Sequence, residues 1–189
     1  MTDGPRPVEE LAHRLAYGFD DPKVLETALS HASAAASESQ TYERLEFLGD
    51  RVLGLVMADY LMRRHPAENE GDLARRFAWL VDRNSLAEIA DELDLGEFLR
   101  LTPGEQKAGT ATNTSVLADS MEAVIGAIYR DGGLEAARPV IERLWAPLAE
   151  RVVDPPKDAK TALQEKVQGR GMAPPQYRTL ERTGPDHAP

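Results

Sequence analysis

Apolar residues recur at helical spacing through most of the chain, and the densest run is Tyr42 to Leu61, YERLEFLGDRVLGLVMADYL. Its Leu45, Phe47, Leu48, Val52, Leu53, Leu55, Val56, Met57, Tyr60 and Leu61 point in nearly every direction at about 100° per residue, which predicts a helix buried on all sides. The same run carries Glu43, Glu46 and Asp50. Spaced i, i+3 and i+7, these carboxylates fall within roughly a 60° sector and form one acidic stripe.

The remaining pattern is also helical. Val8 to Leu15 predicts a short amphipathic helix. Asp20 or Asp21, followed by Pro22, starts another whose buried face is Val24, Leu25, Ala28 and Leu29. His31 and the small, polar stretch Ala32 to Gln40 read as a loop leading into the central run. Beyond it, Arg64 to Gly71 breaks the pattern at Pro66 and Gly71, with Glu68 and Glu70 as unpaired acidic loop residues. Leu73 to Val81 is helical again. Asn84 or Ser85 caps the next helix, built on Leu86, Ile89, Ala90 and Leu93 and ended by Gly96. Phe98 to Thr112, with Pro103, Gly104 and Gly109, reads as an exposed loop.

Asn113, Thr114 or Ser115 then caps a second helix that is apolar nearly all round, with Gly126 permitting close contact and Gly132-Gly133 as its stop. Asp119 and Glu122 lie at i and i+3 on one face of it, a second acidic ridge. Strand signals are almost absent before the last quarter, so the main fold is predicted to be all-α.

Composition adds three constraints. The chain has 189 residues, 42% of them hydrophobic, enough for one ordinary core and a small appendage. It has no cysteine, which excludes disulfides, thiolate metal sites and cysteine nucleophiles and fits a reducing cytoplasm. No stretch approaches the roughly 18 apolar residues of a membrane span, and the N-terminus lacks an apolar leader core, so a soluble cytoplasmic protein with no membrane partner is expected.

The net charge of −10 argues at face value against a nucleic-acid partner. It is unevenly placed: residues 1–153 carry 16 Lys and Arg against 27 Asp and Glu, whereas residues 154–189 carry 6 against 5. On the central helix Arg44 and Arg51 are never three or four residues from the acidic stripe, which predicts that the stripe needs an outside partner. Either it reaches solvent at a cleft edge or distant arginines, or it binds a divalent cation through oxygen ligands. Bound cations would reverse the local field and make the acidic site attractive to phosphate.

The run Glu43-Arg44-Leu45-Glu46-Phe47-Leu48-Gly49-Asp50 resembles the signature of the bacterial ribonuclease III family, and Leu117-Ala118-Asp119-Ser120-Met121-Glu122-Ala123-Val124-Ile125-Gly126-Ala127 resembles its second acidic motif. Glu70-Gly71-Asp72-Leu73, Asn84 to Ala90 and Leu101 to Glu105 are similar to the intervening segments in order and spacing. The likeness covers about residues 8 to 182.

What the resemblance implies is an all-α endonuclease domain of the ribonuclease III type over residues 1–151. It implies a homodimer that hydrolyses double-stranded RNA with Mg²⁺, or Mn²⁺ as a substitute, to 5′-phosphate and 3′-hydroxyl ends. Glu46, Asp50, Asp119 and Glu122 would be metal ligands, with Asp50 and Glu122 at the catalytic core and Glu43 and Glu70 as accessory acids. Phe47 would pack across the dimer contact, and roles in rRNA and mRNA processing would follow. A catalytically silent RNA-binding or dimerisation scaffold is the alternative; such a relative would be expected to have lost one or more of the four acids, and all are present.

Residues 152–158 (VVDPPKD) read as a linker. After it, Thr161 to Gln168 and Pro175-Gln176-Tyr177 resemble the first helix and first strand of an α+β double-stranded-RNA-binding domain, with Gln164 and Glu165 at positions presented to the RNA minor groove. Residues 159–189 thus resemble the start of such a module without its remaining strands and second helix, too little to fold unaided. Two departures from the family pattern, Ala32 after His31 and the cation-poor Thr110-Ala111-Thr112, bear on substrate affinity.

Overall fold

In a computed structural model the described residues are 5–34, 42–156, 163 and 167–176. The expected helices are present as α1 (Val8–Arg14), α2 (Pro22–Ala28), α3 (Glu43–Arg64), α4 (Glu70–Leu80), α5 (Arg83–Glu92) and α7 (Thr114–Arg151), and a further short one, α6 (Pro103–Lys107), joins them. Among the described residues the only β pairing is an isolated parallel bridge between Ser30 and Arg100. Two compact units divide the chain, Met1–Pro155 and Pro156–Pro189. In the second, Leu163, Val167 and Gln168 are helical and Pro175 and Gln176 have no regular structure; Gln164, Glu165 and Tyr177 lie outside the described residues.

Local chemistry starts the helices. Asp21 accepts the Lys23 N–H at 3.1 Å, and Asn113 accepts those of Ser115 and Val116 at 2.9 and 3.3 Å. Asp82, not Asn84 or Ser85, caps α5 by accepting the Ser85 N–H at 2.8 Å. The Ser85 hydroxyl instead donates to the Trp79 carbonyl at 2.7 Å, so it is spent on the preceding helix. The segment expected to be a loop, Phe98 to Thr112, contains α6 and a 3-10 turn at Thr110–Thr112, because Thr102 and Pro103 supply a helix start.

The core lies where α3 and α5 pack against α7. Leu53, Val56, Met57, Ile89, Val124, Ile125 and Trp145 are fully buried or nearly so, and Trp145 donates to the Leu80 carbonyl at 2.8 Å. Gly133, at φ 70° and ψ −167°, interrupts α7 in a conformation that a side chain would oppose, and the helix resumes to Arg151.

Three further expectations are corrected. The central helix α3 is not buried on all sides: Phe47, Leu55 and Met62 are exposed. Apolar density alone does not reveal a face left uncovered by the rest of its own chain. Glu68 is not unpaired, since it holds Arg76, only 2% exposed, in contacts of 2.7 to 3.1 Å, and Glu70 is the first residue of α4. Arg76 also donates to the carbonyls of Val152 and Val153, tying the end of α7 to α4. Third, Arg51 does reach the acidic stripe, by folding back onto its neighbour Asp50.

Candidate active site

Two glycines bring the acidic faces together. A Cβ on Gly49 of α3 would collide with the Glu122 carbonyl oxygen, and one on Gly126 of α7 would collide with the Leu45 carbonyl oxygen. The helices therefore touch main chain to main chain beside their carboxylates. Glu46 from α3 and Asp119 and Glu122 from α7 each offer an oxygen, and these oxygens lie within 4.8 Å of one another. All three side chains are half-buried.

Like charges this close, partly out of water, resist ionisation. Burial, then the charges of Asp119, Glu43 and Asp50, pushes the Glu46 carboxyl up to about 7. Burial, then Asp50, Glu46 and Asp119, does the same to Glu122, also to about 7. Asp119 is raised chiefly by burial. Arg83 opposes the rise at Glu46 and Asp119, and Arg51 opposes it at Glu122. The buried Tyr42 phenol is pushed up to about 12 by burial and by Asp119, Glu46 and Glu43. Its ring stands 5.8 Å from that of His31.

A donor set made only of carboxylate oxygens suits a hard divalent cation with oxygen ligands and open positions for water. The raised pKa values say the same from the other side: the group gains most from a concentrated positive charge among its oxygens. Such a site can activate water for attack on a phosphodiester.

A ribonuclease-III-like family model matches residues 21–148, a span that includes α3, α5 and the acidic part of α7. The chain belongs to the ribonuclease III family. Ribonuclease 3 of Ruegeria pomeroyi is 51% identical over 176 residues, which are 93% of this chain and 78% of that protein. Ribonuclease 3 of Jannaschia sp. is 47% identical over 187 residues, or 97% of this chain and 82% of the relative. A solved ribonuclease III nuclease domain from Campylobacter jejuni, studied for flexibility in a region involved in dimer formation, superposes with a TM-score of 0.71 at 40% identity, covering 75% of this chain and 97% of that one. As a ribonuclease III-type enzyme the chain is an endoribonuclease, a hydrolase of phosphodiester bonds.

The other residues expected at a ribonuclease III site are placed as follows. Asp50 follows Glu46 by one helical turn and acts electrostatically on both Glu46 and Glu122, but its carboxylate is paired with Arg51 and stands outside the group of three. Glu43 is exposed at the start of α3, and its charge acts on Glu46 and Tyr42. Glu70 instead lines a groove of about 280 Å³ with Ala58, Leu61, Met62, Leu73 and Phe77. At about 1.5 Å per helical residue, that groove begins roughly 18 Å along α3 from Glu46. Phe47 is 66% exposed, with the Arg51 guanidinium 4.5 Å over its ring.

Tyr42 and Arg83 were not singled out from the sequence. Tyr42 had a local signal, standing four residues before Glu46, so that both share a helix face. Arg83 had none, because only the packing of α5 on α7 brings it near Asp119.

Proposed function

We propose that this chain cuts double-stranded RNA with Mg²⁺, or Mn²⁺ in its place, acting as a homodimer that cleaves both strands and leaves 5′-phosphate and 3′-hydroxyl ends with a short 3′ overhang. The observation that carries the reading is the convergence of Glu46, Asp119 and Glu122 within 4.8 Å in a ribonuclease III family chain. Those three residues would hold the ion, with Asp50 turning from Arg51 to join them. When bound, the ion supplies activation of a water and stabilisation of the departing 3′ oxygen.

The chain's own residues do the rest. Glu46 and Glu122, each raised to about 7, hold protons in part near neutral pH and release them as the site loads. Their partly buried seat limits competing water and strengthens the field acting on a phosphate. Glu43 borders the cluster as an accessory acid. Glu70, remote from the cluster of its own protomer, would serve a site only from the partner copy. Phe47 is the apolar anchor of the dimer contact, and Gln164 and Glu165 would meet the minor groove of the duplex. In this reading the enzyme works in the cytoplasm on ribosomal and messenger RNA precursors.

The test is incubation with long duplex RNA, with Mg²⁺ and with chelator, followed by analysis of product ends. Short duplexes with 5′-phosphates are expected only with the metal. Intact RNA in the Mg²⁺ tube would leave a silent scaffold as the better account.

A further inference from the structure

We infer that Arg83 is a substrate-binding residue of this site, its guanidinium gripping a phosphate of the RNA strand that the carboxylates address. The inference rests on the reaction proposed above and adds a residue to it.

Arg83 is the first residue of α5. Its place is fixed by the Asp82 cap, by the Ser85 hydroxyl on Trp79, and by the packing of α5 along α7. The side chain is exposed and lies within electrostatic reach of Glu46 and of Asp119, one carboxylate from each helix of the cluster. It closes no ion pair with either, nor with any other described residue.

The other nearby cations are less available. Arg51 is engaged by Asp50 and by the Phe47 ring. Arg44 is two residues from Glu46, about 200° around α3 and so on its opposite side. Arg83 is left as the cation that borders the carboxylates with its donors uncommitted.

An RNA strand approaching three or four carboxylates is repelled unless positive charge lies on its path, and one divalent ion offsets only part of that negative charge. A guanidinium presents a rigid fork of N–H donors that matches two phosphate oxygens at once, which an ammonium does not. A cation that served only to balance the carboxylates would act differently. Its removal would tighten metal binding and leave cutting intact once Mg²⁺ is saturating.

The experiment compares wild type, Arg83→Gln, Arg83→Ala and Arg83→Lys on long duplex RNA at saturating Mg²⁺ over a range of KCl, with duplex binding in Ca²⁺ measured alongside. Because Arg83 is exposed, the variants should match the wild type in circular dichroism and melting. The Gln and Ala forms are expected to lose about 10- to 100-fold in kcat/KM, mostly through KM. Lys should restore part of it, and the slope of log affinity against log salt should fall by about 1. Full activity in Arg83→Ala, or duplex binding in Ca²⁺ equal to that of the wild type, would overturn the inference while the proposed function stands. A wild type that leaves duplex RNA uncut would overturn the proposed function, and the inference with it.

Discussion

The Arg51 guanidinium lies 4.5 Å over the Phe47 ring and at the same time pairs with the Asp50 carboxylate. One cation thus spans an exposed aromatic and the acidic face of α3. Phe47, Leu55 and Met62, at i, i+8 and i+15, continue along α3 as exposed apolar residues. Phe47→Ala is expected to raise the dissociation constant of the proposed homodimer about 100-fold or more, the loss of two buried phenyl groups, one from each protomer. Sedimentation equilibrium reads this directly, and unchanged self-association would remove Phe47 from the contact.

Glu122→Gln keeps the volume of the side chain and removes a charge that its neighbours oppose. It should abolish Mg²⁺-dependent cutting, by about 10³-fold or more, while the metal-free protein melts no lower than wild type at pH 8. Cutting assays and calorimetry on the same preparation check both halves. Wild-type cleavage by the variant would refute the role given to this residue.

The pH dependence follows from Glu46 and Glu122, both raised to about 7 from an ordinary 4.5. Between those values the folded chain binds more protons than the unfolded one. The stabilisation they contribute is therefore complete below about 4.5 and lost as pH rises through about 7. Melting without metal should be lower at pH 8 than at pH 6, by a margin that Glu46→Gln/Glu122→Gln reduces and saturating Mg²⁺ reduces too. Metal binding should weaken as pH falls below about 7, because protons compete for the same oxygens. Calorimetric titration with Mg²⁺ across this range is the check.

Arg76 offers a test of the scaffold rather than the chemistry. Arg76→Ala would strip Glu68 and the carbonyls of Val152 and Val153 of their donor. Because Arg76 is buried while Glu68 is partly exposed, a loss of about 2 to 3 kcal/mol is expected by denaturant unfolding. A change below about 0.5 kcal/mol would show that the tie is dispensable.

Local features of this fold were readable from the chain because their causes are local. Asp21 and Asn113 announce helices by their own side-chain geometry, and the i, i+3 and i+7 spacing puts Glu43, Glu46 and Asp50 on one face whatever surrounds them. The cap of α5 is ambiguous in the sequence because three residues within four positions, Asp82, Asn84 and Ser85, are all competent, and the Trp79 carbonyl takes the Ser85 hydroxyl out of the choice. The Arg76–Glu68 pair joins residues eight apart across a helix start, beyond any helical periodicity. For the same reason, the grouping of Glu46 with Asp119 and Glu122 was foreseeable as two acidic ridges, but the position of Arg83 beside them was not.

Gly126→Ala is the substitution that should disturb the acidic group without touching an acid. The added methyl meets the Leu45 carbonyl, which belongs to the backbone and cannot swing aside. A destabilisation of about 3 kcal/mol or more is expected by thermal melting, with weaker Mg²⁺ binding in whatever fraction folds. An unaltered melting temperature and metal affinity would show that the helices have slack here.

Because α3 and α7 abut through bare peptide at Gly49 and Gly126, the width of the gap between their acids is gauged by polypeptide geometry and by no side chain's bulk. Aliphatic residues deeper in the bundle can be exchanged for others of like volume without recalibrating that gap. The tolerance ends at the two glycines, where a single carbon atom would reset the gauge.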